Sequence, residues 1–159
     1  MSTLKVNSII PVAGVPTGGG GGIIQVVSAS QTSNFSTSST SFVDVTNATL
    51  NITPTSSSSK IFVTMQGGRF GMFSNASYIS EVRILRDSTV IAKTQPSSRD
   101  GNPGNDQSSA ALSKLDEPST TSQITYKVQA RSNSSSGNVD VVGSDTGDIL
   151  TITAMEVSA

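Results

Sequence analysis

The sequence predicts an all-β domain, an antiparallel β-sandwich of jelly-roll type, preceded by an extended N-terminal attachment peptide. Three observations carry that expectation. Apolar and polar residues alternate with period two in runs such as 48–53 (ATLNIT) and 124–130 (ITYKVQA), which places the apolar side chains on one face of a strand. Clusters of Pro, Gly, Asn, Asp and Ser separate these runs at short intervals. No window shows convincing helical periodicity, so no helices are available to cover parallel crossovers, and the strands must pair antiparallel.

In chain order, Leu4, Val6 and Ile9 or Ile10 read as one strand over about 4–10, stopped by Pro11 and Pro16. Gly18, Gly19, Gly20, Gly21 and Gly22 then uncouple it from the next run and serve as a hinge. This divides the chain into an attachment peptide over 1–17, a glycine linker over 18–22 and a sandwich domain over 23–159. An extended apolar peptide of this kind adds its backbone to a sheet edge on a partner, with alternate side chains filling pockets. The alternative reading places 4–10 in the domain's own sheet.

Within the domain, further strand-like runs fall at about 23–28, 41–46, 60–66, 79–86, 89–94, 138–142 and 149–157. Runs 79–86 and 89–94 meet across Asp87 and Ser88, which makes them the clearest hairpin. The last run, 149–157, is apolar on both faces for part of its length, as an interior strand would be. Residues 110–115 (AALSKL) are long enough for one helical turn before Pro118. The motif at Gly67, Gly68, Arg69, Phe70 and Gly71 has the glycine content of a phosphate loop, but no helix pattern follows it, and a bulge or loop is the better reading.

Composition narrows the function. The 159 residues include no His, no Cys and no Trp, which removes Ser-His-Asp and Cys-His catalysis, zinc sites and thiol chemistry. A formal net charge of −1, with scattered basic residues, argues against neutralising nucleic-acid phosphates. No apolar run is long enough for a membrane-spanning helix, and no secretory signal pattern opens the chain, so a soluble protein that is not exported by that route is expected. The carboxylates read as solvated groups at turns or single groups on strand faces rather than a catalytic pair, so the expectation is a protein that is not an enzyme and takes no cofactor. The donors Asp100, Asn102, Asn105 and Asp106 are of a type calcium accepts, but their spacing misses the calcium loop, and no metal is expected.

Two segments stand out as candidate receptor-contact loops. One holds Arg69, Phe70, Met72, Phe73 and Tyr78, contact-forming side chains set among small residues. The other runs from Arg99 through Asp100, Asn102 and Asn105 to Asp106. For the first, filling the end of the sandwich is an equally good reading of Phe70, Phe73 and Tyr78. A domain this short of bulky residues also gains from a subunit interface, which favours a homo-oligomer.

The residues 1–9 (MSTLKVNSI), the glycine run leading into 23–27 (IIQVV), and 41–45 (SFVDV), 52–54 (ITP), 60–63 (KIFV), 82–87 (VRILRD) and 153–156 (TAME) together resemble small structural proteins of tailed bacteriophages. These are the tail-fibre-like or virion-decorating proteins abundant in phages of marine bacteria, and the similarity spans nearly the whole chain. The resemblance implies a virion component assembled in the host cytoplasm: an N-terminal peptide docked on other virion proteins, and a β head, commonly a homotrimer, displayed toward a host-surface glycan or protein. It supplies no catalytic residues. A short tail fibre is the leading expectation, a capsid decoration protein the nearest alternative, and a free carbohydrate-binding module the alternative from another class.

Overall fold

A computed structural model describes residues 22–72, 78–96, 98–99, 106–142 and 148–158. Its strands are Ile23–Gln31 (β1), Phe35–Thr37 (β2), Val43–Ile52 (β3), Lys60–Met72 (β4), Tyr78–Arg86 (β5), Thr89–Thr94 (β6), Ser98–Arg99 (β7), Asp106–Asp116 (β8), Ile124–Ser132 (β9), Val139–Val142 (β10) and Leu150–Val157 (β11). The strand pairs are all antiparallel. The first sheet runs β1-β11-β4-β8, and beyond the end of β11 the strand β10, with β2 on its other side, takes its place beside β4. The second runs β3-β9-β5-β6, with β7 against the start of β5. β1 lies over β3 and β8 over β6, so the two sheets close into a sandwich. Leaving aside the short β2, β7 and β10, each of the eight long strands crosses to the other sheet from the one before it, apart from the β5–β6 hairpin, and together they form the jelly roll that the sequence predicts.

Alternation explains the core. On β11 the side chains of Leu150, Ile152 and Ala154 are buried, and on β9 those of Ile124, Tyr126, Val128 and Ala130. They meet Val45, Leu50 and Ile52 of β3, Ile61, Val63 and Met65 of β4, and Val82 and Ile84 of β5. The expected interior position of the last strand holds, since β11 lies between β1 and β4.

Several local expectations change. Residues 110–115 form no helical turn; they lie in β8, which pairs with β4 from Ile61↔Asp116 to Met72↔Asp106. Ala110 faces the core and Leu112 packs against it, while Ala111, Ser113 and Leu115 face outward. The ladder to β4 and a buried face outweigh the weak helix preference of Ala and Leu. The runs at 41–46 and 48–53 are one strand, β3, whose register shifts between Asp44 and Thr49 around Asn47 at φ 57°. There the Asn47 amide donates to Oε1 of the buried Gln31 at 3.1 Å, tying β3 to β1 across the sandwich edge. β4 continues six residues past its expected end, through a bulge at Gly67 and Gly68, both at positive φ. The predicted strand over 4–10 lies outside the described residues.

Candidate functional site

The strand order gives the sandwich two ends. At one, β1 begins and β11 finishes, joined by the β3–β4 connection, the Asp87–Ser88 turn and the β8–β9 connection. At the other, β4 gives way to β5, β7 to β8 and β10 to β11. Gly22, the first described residue, therefore lies at the end opposite the strand ends that bound the candidate contact segments.

Gly22 corrects one expectation. Its N–H donates to Ser158 Oγ at 3.0 Å, and its carbonyl accepts from the Ser158 N–H at 3.1 Å. It extends the β1–β11 ladder and is not a free hinge. Gly18, Gly19, Gly20 and Gly21, and the docking residues Leu4, Val6, Ile9 and Ile10, lie outside the described residues.

The contact candidates divide. Phe70 is fully buried, so it belongs to the core and cannot touch a receptor. The bulge at Gly67 and Gly68 re-aims β4 so that this ring turns inward, against the place where a Gly68 side chain would sit. Arg69, next to it, is half-buried and 3.5 Å from Asp148. Met72, Tyr78, Arg99 and Asp106 are placed as strand residues only: Met72 is opposite Asp106, and Tyr78 opposite Arg99. The fold thus gathers these four positions at one end of the sandwich. Phe73, Asp100, Asn102 and Asn105 lie outside the described residues.

Three carboxylates expected in solvent are buried. Glu156, at the same end as Gly22, accepts from Thr55 N and Thr55 Oγ1, both at 2.7 Å, and from Gln25 Nε2 at 2.5 Å. Burial opposes its charge, but these donors and the Ser59 hydroxyl outweigh it and hold the carboxyl below the usual range. Asp116 takes both oxygens to Arg86 Nη1 at 2.9 Å and accepts from the Tyr126 hydroxyl at 2.6 Å, which joins the two sheets inside the sandwich. Burial, and then the bond to Asp116, push the Tyr126 hydroxyl well above the ordinary tyrosine range. Glu81 is held by Lys93 and Arg131. Burial again opposes ionisation, and the bonds from Lys93, Arg131 and Gln95 prevail.

The two outer faces differ in chemistry. On the second sheet Glu81 joins a ladder in which Arg83 donates to Gln129 at 2.6 Å, while Gln129 and Lys127 both bind Asp44. Arg83 and Arg131 cover the Phe42 ring, at 3.8 and 4.7 Å from its centre. On the first sheet the register aligns Val26, Met155, Phe62 and Leu115 in one row across four strands. Sequence reasoning missed that row. Each residue is a lone apolar group at an outward strand position, and only the pairing makes them neighbours.

No family model and no curated protein matches the chain. Among solved structures, it is similar to the T13 viral particle of infectious bursal disease virus, with 13% identity over 98% of this chain and 43% of that one, and a TM-score of 0.39. It is likewise similar to the VP2 subviral particle of that virus, with 13% identity over 84% of this chain and 40% of that one, and a TM-score of 0.38. The chain spans less than half the length of these viral chains.

Proposed function

We propose that the chain is a non-enzymatic structural protein of a tailed-phage particle, a short tail fibre or fibre-like appendage that docks through residues 1–17 and presents its jelly roll outward. The observation that carries this reading is polarity. Gly22 lies at one end of the sandwich, and the candidate contact positions 72, 78, 99 and 106 gather at the opposite end. Such an arrangement suits an anchored head whose far loops meet a surface. The resemblance of the sequence to phage structural proteins supports the same reading, and jelly rolls recur in viral and lectin domains. The buried carboxylates are spent on holding strands together, which supports a structural rather than a catalytic use of them.

Deleting residues 1–21 tests the proposal. The truncated head is expected to fold but to be missing from purified particles, while the full chain is incorporated. Incorporation of the truncated form at the full-chain level would overturn the anchoring role. Copy number per particle, read by quantitative mass spectrometry, separates a tail appendage from a capsid decoration, which would need far more copies.

A further inference from the structure

The outer face of β1-β11-β4-β8 is unlike the rest of the surface. Its apolar row exposes Val26 by 57%, Phe62 by 37% and Leu115 by 46%, with Met155 half-buried between them. The adjoining rows are Ser28, Thr153, Thr64 and Ser113, then Ser30, Thr151, Gln66 and Ala111. These three rows contain no charge. Lys60, paired with Glu117 at 2.8 Å, flanks them at the edge. The opposite outer face carries Asp44, Glu81, Arg83, Lys93, Lys127 and Arg131. Loss of charge at the centre with charge kept at the rim is the pattern of a covered interface, whereas a solvated sheet face keeps its charges.

We propose that this face packs against the same face of further copies of this chain, around an axis running along the strands. Charge selects the occupant. A partner surface bearing charges would bury them unpaired against the row, while the face itself offers an uncharged, hydroxyl-rich match. Area agrees. Four strands about 4.8 Å apart and roughly eight residues long cover on the order of 500 Å² per copy, so two copies bury about 1,000 Å², the lower bound for a specific contact. The apolar row is too small alone, so the hydroxyl rows must join it. An axis along the strands sets the apolar rows at one height and uses the whole face. A two-fold axis lying along the apolar row, across the strands, would set the hydroxyl rows of the two copies on opposite sides and waste half. This arrangement also brings Gly22 of every copy to the same end. The inference goes beyond the proposed function and stands whether or not the chain resides in a particle.

Sedimentation equilibrium of the full chain tests it. Wild type is expected as a closed oligomer at tens of micromolar, and Phe62→Glu as a monomer, a fall in mass of about two- or threefold. Ser113→Arg, at an already exposed polar position, is expected to dissociate it too, with unchanged far-ultraviolet circular dichroism. Thr49→Arg, on the other outer face, is expected to leave the mass unchanged. A monomeric wild type overturns the proposal, whether its row is free, covered by its own residues 1–21, or taken up by another virion protein. So does an oligomer that survives Ser113→Arg, or one that Thr49→Arg disperses.

Discussion

Glu156 shows how a buried charge is kept without an ion pair among the described residues: the hydroxyl of Thr55, its N–H and the Gln25 amide supply the donors. Because its carboxyl titrates lower in the folded chain than in the unfolded one, its stabilisation is complete above the ordinary value of 4.5 and is lost as pH falls through the folded value. Glu81 shifts in the same direction and adds to the same window, while Asp44 adds a loss that begins below its own ordinary value of 3.8. Urea unfolding is therefore expected to show stability nearly constant from pH 7 to about 5 and falling below about 4.5. Glu156→Gln turns an acceptor oxygen into a donor facing other donors, and should cost roughly 2 kcal/mol at neutral pH. It should also flatten the acid limb, and a variant curve parallel to wild type below pH 4.5 would contradict this account. None of it was legible in the sequence, where Glu156 is one polar residue in an alternating strand; burial and the approach of Thr55 come from chain segments a hundred residues apart.

Among the elements, β4 carries the sharpest backbone constraint. Gly67 adopts φ 91°, and a Cβ there would lie 2.1 Å from the Ile149 carbonyl oxygen. That carbonyl accepts the Gly68 N–H at 2.9 Å, so it has no room to retreat. Gly67→Ala is expected to cost roughly 2–4 kcal/mol, read as a lowered melting temperature. Gly22→Ala, with nothing within 4 Å of its added carbon, should change stability by less than about 0.5 kcal/mol. The glycines marked a bulge in the sequence, but its consequence, an inward Phe70, required the register. The reverse failure is β8, where Ala and Leu suggested a helical turn because local composition carries no record of the strand beside it.

Across the whole molecule, protection should follow the sheet order. Amides of β11, β4, β9 and β5 have neighbours on both sides, whereas β6 is an edge strand. Hydrogen exchange is expected to be slowest in the interior four and faster in the edge strand β6. Equal protection of β6 and β9 would contradict the topology. Period two and turn chemistry determined the strand class, most strand positions and the β5–β6 hairpin, because those signals act between near neighbours. Only the tertiary structure decided which strands share a sheet, which carboxylates are buried, that Gly22 is locked to Ser158, and that Val26, Met155, Phe62 and Leu115 form one row. Each of these depends on contacts between residues distant in the chain, whose pairing is fixed by the closure of the sandwich around its core.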